Sequence, residues 1–136
     1  MKLYIGGRAQ GKLAYCESCQ KDKNYVVFEA SELPAECSAD DLARAAGREG
    51  RVIINHLHEW VRTCVGNKID PRDVFASWNS IYPSLELICD EVGNGIVPTD
   101  PFEREWREAV GRLLIAAARE AESVVRVVCG LPQKIK

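Results

Sequence analysis

The chain has 136 residues, of which 46% are apolar and 28% are charged, and 18 basic residues against 20 acidic ones give a net charge of −2. This composition is typical of one soluble globular domain and argues against a disordered, collagen-like or coiled-coil protein. No basic excess indicates nucleic acid or an anionic membrane as a partner, and no apolar run approaches the roughly 20 residues that span a bilayer. The N-terminal residues do not resemble a signal peptide, so we expect a cytoplasmic protein with reduced cysteines.

Five short segments rich in β-branched and aromatic residues are predicted to be strands. They lie within residues 2–5, 25–30, 51–56, 85–89 and 124–129. Strands this apolar are usually covered on both faces, as in a parallel sheet. Cys89 and Cys129 lie in the last two of these segments and are predicted to be small core residues.

Helix start signals occur between the predicted strands. These signals are Ser38 with Asp41, Asp70 before Pro71, and Asp100 before Pro101. Strands that alternate with helices in one domain, residues 1–136, predict a three-layer α/β fold with right-handed crossovers and a mainly parallel sheet of about five strands.

The first predicted strand runs into GGRAQGK, which has the Gly-x-x-x-x-Gly-Lys spacing of a phosphate-binding loop between a strand and a helix. Backbone N–H groups of such a loop cradle phosphate oxygens, and Lys12 would reach the outer phosphates. Ser or Thr normally follows the lysine as a Mg²⁺ ligand, whereas Leu13 has no oxygen to offer. A glycine turn in another kind of α/β protein is the alternative. The predicted nucleotide-binding residues here are Gly6, Gly7, Arg8, Ala9, Gln10, Gly11, Lys12 and Leu13.

Asp90 and Glu91 follow the fourth predicted strand, in the segment ICDEVGNGIVP. The carboxyl ends of parallel strands form the ligand-binding edge of an open α/β sheet. Carboxylates at this edge can hold Mg²⁺ or accept a proton from an attacking hydroxyl. We therefore predict that both residues hold the metal and that Glu91 is catalytic. The alternative is an acidic strand end followed by a turn.

His56 and His58 are the two histidines of the chain, and they follow the third predicted strand in the segment NHLHEW. Phosphate contact or general acid–base catalysis is predicted for them, because they lie at the same sheet edge as the glycine loop. A metal site with Glu59 is the alternative. Cys16 and Cys19 form a CxxC without a second pair, and on a predicted helix they share a face without completing a zinc site.

These segments together resemble the adenosylcobinamide kinase / adenosylcobinamide-phosphate guanylyltransferase family of cobalamin biosynthesis. GGRAQGK is similar to that family's GGxxSGKS loop, and ICDEVGNGIVP is similar to its (T/C)NEVGxGIVP segment. The ending VVRVVCGLPQKIK resembles its last strand followed by G-(I/L)-P-x-x-(I/L)-K. Further matches to its R-x-F-R-D…G-R helix are Arg104, Trp106, Arg107, Gly111 and Arg112, with Glu108 in place of Asp.

The resemblance implies a RecA-like phosphate-loop fold, GTP or ATP as donor with Mg²⁺, adenosylcobinamide as acceptor, and a homo-oligomer. The family phosphorylates the aminopropanol hydroxyl of adenosylcobinamide and then transfers GMP to that phosphate through a guanylylated histidine. By the same resemblance, Glu29, Ala30 and Ser31 occupy a nucleotide-contacting segment. Asn55 stands where the family has a glutamate, and we assign it to the nucleotide site as well.

The middle of the chain departs from this family, because residues 31–50, where the guanylylated histidine is expected, contain no histidine. We therefore predict a kinase with Lys12 and Glu91 as catalytic residues, in which guanylyl transfer is lost or carried by His56 or His58. Arg104 and Arg107 are predicted either to neutralise phosphate or to form surface salt bridges. A non-catalytic protein that binds nucleotide or corrinoid is the alternative, since Leu13 and Asn55 both remove expected ligand contacts.

Overall fold

The computed structural model describes residues 1–22, 24–47, 50–82 and 84–136, and its centre is a sheet of six strands. The strands are β1 (Lys2–Gly6), β2 (Tyr25–Glu29), β3 (Arg51–Asn55), β4 (Glu86–Asp90), β5 (Ser123–Val128) and β6 (Leu131–Lys134). Their order is β2-β3-β4-β1-β5-β6, and only β6 runs antiparallel to its neighbour. The predicted mainly parallel α/β sheet is confirmed, and the phosphate-loop family expected from the resemblance has this architecture.

The sixth strand was not predicted, because β6 is exposed along its whole length and contains Pro132, so it lacks the apolar alternation of a strand. It follows a tight turn in which Cys129 and Gly130 both have positive φ, 51° and 77°. The prediction that Cys129 is a core residue was wrong, because it lies in this exposed turn, whereas Cys89 is buried in β4 as expected.

In the described residues, five α-helices and one short 3-10 helix, Ala30–Glu32, lie between the strands. The α-helices are α1 (Lys12–Ser18), α2 (Ala39–Ala46), α3 (Leu57–Gly66), α4 (Pro71–Ile81) and α5 (Pro101–Glu120). The predicted starts of α2, α4 and α5 are confirmed: Ser38 and Asp41 form a reciprocal capping box, and Asp70 and Asp100 each accept a hydrogen bond from a backbone N–H of the first turn. Among the described residues, no helix combines the length and the apolar character that crossing a bilayer demands.

The helices cover the two faces of the sheet unequally. Leu3 of β1 packs into a large core shared with α2, α3, α4 and α5, where the rings of Trp60 and Trp78 lie 4.3 Å apart. Tyr4 faces the other way and packs in a smaller cluster with Cys16 of α1. Neighbouring residues of a strand point to opposite faces, so both faces of β1 are buried and the three predicted layers are confirmed.

Candidate phosphate-binding site

The loop between β1 and α1, residues 6–12, has a shape set by its neighbours. Gly6 has φ 154°, and a Cβ there would lie 2.3 Å from the carbonyl oxygen of Val127 in β5, so no larger residue fits. The Gln10 side-chain oxygen accepts a hydrogen bond from the backbone N–H of Cys129 at 2.6 Å. The backbone carbonyl oxygen of Gln10 accepts a second hydrogen bond, from the backbone N–H of Gly130 at 3.0 Å. The loop is therefore fixed to the turn between β5 and β6.

Lys12 and Asp90 meet beside this loop. Gly6 lies opposite Asp90 in the parallel pair of β1 and β4, so both strands deliver their last residues to the same edge. Lys12 Nζ lies 2.7 Å from Asp90 Oδ1 and donates to the Gly7 carbonyl oxygen, also at 2.7 Å. The two side chains are only 5% and 10% exposed. A buried ammonium needs an anion within contact distance, and here Asp90 supplies it.

His58 belongs to the first turn of α3 and is buried next to Asp90. Its Nδ1 accepts a hydrogen bond from the Asp90 backbone N–H at 3.4 Å, while its Nε2 lies 3.3 Å from Glu59 Oε1 and 3.9 Å from Asp90 Oδ2. Burial lowers the pKa of His58 below its usual value, although the charges of Asp90 and Glu59 oppose this effect. The ring is therefore neutral near pH 7, and with Nδ1 accepting, its proton is on Nε2, facing the two carboxylates.

Glu29, Asn55 and His56 form a second polar group at the ends of β2 and β3. Asn55 Nδ2 donates to Glu29 Oε1 at 2.7 Å, and His56 Nδ1 lies 2.8 Å from Glu29 Oε2. Partial burial raises the pKa of Glu29, but the hydrogen bonds with Asn55 and His56 outweigh it and the net pKa is lowered. Ala30 and Ser31 were predicted to contact the nucleotide together with Glu29; Ala30 is a core residue and Ser31 is exposed.

Glu91, predicted with Asp90 as a metal ligand, faces a different partner. Arg126 of β5 contacts both carboxylate oxygens of Glu91: its Nε lies 2.8 Å from Oε1, and its Nη2 donates to Oε2 at 2.9 Å. Asn94 Nδ2 also donates to Oε2, at 3.1 Å. Successive side chains leave the strand in opposite directions, so the Asp90 side chain reaches the loop lysine while the Glu91 side chain turns to Arg126. In the described part of the chain, no group of three or more His, Cys, Asp or Glu side chains is placed to hold a metal.

A cavity of about 420 Å³ opens next to the Lys12–Asp90 pair. It is lined by Arg8, His56, His58, Glu59, Asp90, Glu91, Val92 and Trp106. Trp106 Nε1 donates to the His58 carbonyl oxygen at 2.8 Å, so α5 closes one wall of the cavity against α3. A smaller cavity of about 190 Å³ lies between residues 9–14 and the pair Asn55 and His56, and His56 lines both cavities. The Leu13 side chain packs against the apolar cluster under α1.

Several contacts were not expected from the sequence. Gln10 holds the loop, and Arg126 captures Glu91; the one signal for the latter is a charged residue inside the apolar run VVRVV. Arg104 and Arg107 donate to backbone carbonyl oxygens of residues 93–99, and their contact with phosphate stays a prediction. Cys16 is buried against Glu86 while Cys19 is exposed, so the CxxC pair does not act as a unit.

Comparison with known proteins identifies the family. A sequence model of the cobinamide kinase / cobinamide phosphate guanyltransferase family matches residues 27–135, from β2 to the end of β6. The matched part contains Asp90, His58 and the segment after β4, and it leaves out the glycine loop. No curated protein matches the chain. Because the match extends over most of the 136 residues, the chain belongs to the cobinamide kinase / cobinamide phosphate guanyltransferase family, a family of transferases of cobalamin biosynthesis that use nucleoside triphosphates.

Proposed function

We propose that this protein transfers the terminal phosphoryl group of ATP or GTP to the aminopropanol hydroxyl of adenosylcobinamide. One observation carries the proposal: Lys12 and Asp90 are buried together at 2.7 Å, between a glycine loop and an open cavity. Charged side chains are rarely buried unless they pair with each other or bind a ligand. Family membership supports the acceptor, since cobinamide is the substrate that the family description names.

Lys12 is the residue that would meet the nucleotide. Its contacts with the Gly7 carbonyl and Asp90 keep the ammonium at the mouth of the loop, where a phosphate oxygen can replace either of them. Phosphoryl transfer depends mostly on positioning and on neutralising charge on the transferred group. A fixed lysine in a water-poor site supplies both, because its charge is in place before the reaction begins.

The donor set beside the loop suits Mg²⁺ bound mainly by phosphates and water. Such an ion needs only one or two carboxylates from the protein, and Asp90 is the carboxylate in contact with the loop lysine. Leu13 offers no oxygen, and Glu91 is already held by Arg126. When bound, the ion would neutralise charge on the triphosphate. We therefore assign metal binding to Asp90 and withdraw Glu91 from the direct ligands.

The acceptor hydroxyl would enter the cavity of about 420 Å³, where Asp90 and His58 are the buried polar side chains. His58 is a positioning residue: its Nδ1 contacts the Asp90 backbone and its Nε2 faces the carboxylate, so it holds Asp90 against the loop. Asp90 in turn is close enough to Lys12 to orient a hydroxyl toward the outer phosphate.

For guanylyl transfer, a histidine nitrogen must be unprotonated and in line with the α-phosphate. His58 Nδ1 accepts from the Asp90 N–H, whereas His56 Nδ1 contacts Glu29 and its Nε2 is the ring nitrogen left to act as a nucleophile. We infer that this half-reaction is absent, because residues 31–50, where the resemblance expects the guanylylated histidine, contain no histidine. Incubation with α-labelled GTP should leave no acid-labile label on the protein. Label that disappears in His56→Ala or His58→Ala would contradict this inference.

A second candidate is a protein that binds nucleotide or corrinoid without turnover. It is favoured by Leu13, which packs into the apolar cluster, and by the engagement of Glu91 with Arg126. Both features remove groups that catalysis in related sites would use.

Mass spectrometry of the small molecules decides between these candidates. The protein is incubated with cobinamide, Mg²⁺, and either ATP or GTP. The proposal expects cobinamide that carries one added phosphoryl group, with matching release of ADP or GDP. Binding of both ligands by equilibrium dialysis without any product would overturn the kinase assignment and support the binding protein. Product made equally well from ATP and from GTP would leave the kinase intact and indicate a donor site that reads only the phosphates.

A further inference from the structure

The segment between β4 and α5 presents two large apolar side chains to solvent. Ile96 is 95% exposed and Val97 is 70% exposed, at the tip of a loop formed by residues 93–97. Gly95 allows the sharp turn, since its φ is 117°. Two adjacent aliphatic side chains exposed to this degree are a candidate binding surface.

Two arginines of α5 hold this loop. Arg107 donates to the carbonyl oxygens of Gly93 and Ile96, each at 2.7 Å. Arg104 donates to the carbonyls of Pro98 and Thr99 at 2.9 and 2.6 Å. Because the planar guanidinium groups bind the backbone, the loop keeps its shape while the Ile96 and Val97 side chains remain free.

The loop leaves from the wall of the proposed acceptor cavity. Glu91 and Val92 line that cavity of about 420 Å³. They also line a neighbouring cavity of about 330 Å³, whose other walls include Gly93, Asn94 and Arg107. The two cavities thus share the segment that leads into the loop, and the apolar tip begins four residues beyond that shared wall.

We propose that residues 93–97 bind the corrin macrocycle of cobinamide, a role that rests on the proposed kinase function. The macrocycle is far larger than the cavity, so the aminopropanol arm can enter while the ring system stays outside the rim. The corrin ring system and its methyl groups are largely apolar, whereas its amide side chains start at the periphery. Ile96 and Val97 supply an apolar surface of the matching kind, held in place by Arg107.

The test is the double variant Ile96→Ser with Val97→Ser. Its matched control is Ile115→Ser with Ile135→Ser, which removes two exposed aliphatic side chains from other elements. We expect KM for cobinamide to rise at least roughly tenfold in the loop variant, because two apolar contacts with the macrocycle are lost. Nucleotide affinity and acceptor-free hydrolysis should match wild type, and the control variant should behave like wild type throughout. Circular dichroism verifies that both variants fold.

A small acceptor separates the loop from the reaction centre. N-acetyl-1-amino-2-propanol has the reacting arm without the macrocycle, so wild type and the loop variant should phosphorylate it with equal kcat/KM. An unchanged KM for cobinamide in the loop variant, with wild type active, overturns the loop assignment and leaves the proposed function standing.

If wild type makes no phosphorylated cobinamide, the proposed function fails, and equilibrium dialysis of cobinamide, followed by its visible absorbance, still tests the loop. Equal affinity of wild type and loop variant overturns the assignment. Loss of self-association in the loop variant, at unchanged cobinamide affinity, also overturns it, because the surface then binds a second copy of this chain.

Discussion

Strand β4 has a buried carboxylate at each end, and the two carboxylates differ in the groups that donate hydrogen bonds or charge to them. Glu86 at the start is 3% exposed and Asp90 at the end is 7% exposed. Each lies near a lysine of the β1 region, Lys2 for Glu86 and Lys12 for Asp90. In the sequence both are acidic residues that flank the same apolar run.

The Glu86 carboxylate also borders a cavity, of about 310 Å³, but it is satisfied by donors that belong to the protein. Its Oε2 accepts hydrogen bonds from Cys16 Sγ and Gln20 Nε2, both at 2.9 Å, and Lys2 lies farther away at 3.5 Å. Arg51 then donates to Gln20 Oε1 at 2.9 Å and fixes that side chain. Neutral donors in fixed positions satisfy a carboxylate permanently, so this end is structural.

The Asp90 end depends on one lysine next to a cavity. Lys12 is held by Asp90 and one carbonyl, and either contact can be exchanged for a phosphate oxygen. Burial of a carboxylate is therefore a poor indicator of function by itself. The useful indicator is a charged partner that a ligand can take over.

The largest expected effect is from Lys12→Ala, with Lys2→Ala as its control at the other end of β4. Loss of the Lys12 charge should reduce phosphoryl transfer to cobinamide by at least ~10²-fold, as removal of one fixed electrostatic contact does in other enzymes. Lys2→Ala also removes one lysine charge, the one beside Glu86, and should leave the rate near that of wild type. Steady-state kinetics measure both. Unchanged kinetics in folded Lys12→Ala protein would reject the phosphate-loop assignment.

Asp90→Asn and Glu86→Gln test the comparison directly. Asp90→Asn leaves Lys12 buried without its anion, and we expect a loss of about 3–5 kcal/mol of unfolding free energy. Glu86→Gln replaces one accepting oxygen by an amide nitrogen that faces the donors of Gln20 and Cys16. We expect it to lower the free energy of unfolding by about 1–3 kcal/mol. Metal-free nucleotide should restore the stability of Asp90→Asn, since a phosphate replaces the lost carboxylate. It should raise the stability of Glu86→Gln no more than that of wild type.

Thermal unfolding with and without nucleotide, in the presence of a chelator, measures this difference. Equal nucleotide-induced shifts in Asp90→Asn and Glu86→Gln would mean that phosphate does not compete with Asp90 for Lys12, and the two ends would then be alike.

A smaller effect is expected with pH at the Glu86 end. Burial raises the pKa of the Cys16 thiol, and the hydrogen bond to Glu86 and the charge of that residue raise it further. A raised folded-state pKa stabilises the protein below the pKa of an unfolded thiol, about 8.5, and the contribution is lost as pH rises above it. Denaturant unfolding from pH 7 to 10 should show falling stability, with a weaker fall in Cys16→Ala. Burial also raises the pKa of Cys89 to about 12, so part of the dependence remains in that variant.

The smallest effects concern the metal. Leu13→Ser adds the missing hydroxyl and should lower the Mg²⁺ concentration needed for half-maximal activity by roughly two- to tenfold, the equivalent of one added oxygen contact. Glu91→Gln should leave that concentration near the wild-type value, because Arg126 already holds the carboxylate. Titration of activity with Mg²⁺ tests both variants. A strong Mg²⁺ defect in Glu91→Gln would return Glu91 to the direct ligands.

The local features of this fold were predictable because their causes are local. Ser38 with Asp41 and Asp100 before Pro101 cap their helices through contacts that span only two or three residues. The meeting of Lys12 and Asp90 was also predictable in outline, since parallel strands deliver their ends to one edge of a sheet. The direction of Glu91 was not, because Arg126, its partner, is 35 residues away on β5.

The sequence by itself determined the apolar strands, the capped helices and the glycine loop with its lysine, because each depends on residues close together in the chain. Only the tertiary structure decided which acidic residue serves that loop, why β6 and Cys129 lie outside the core, and what Arg104 and Arg107 bind. These outcomes depend on which strands become neighbours and on which donors burial brings within 3 Å or so of a carboxylate or carbonyl. That information arises only when distant segments pack together.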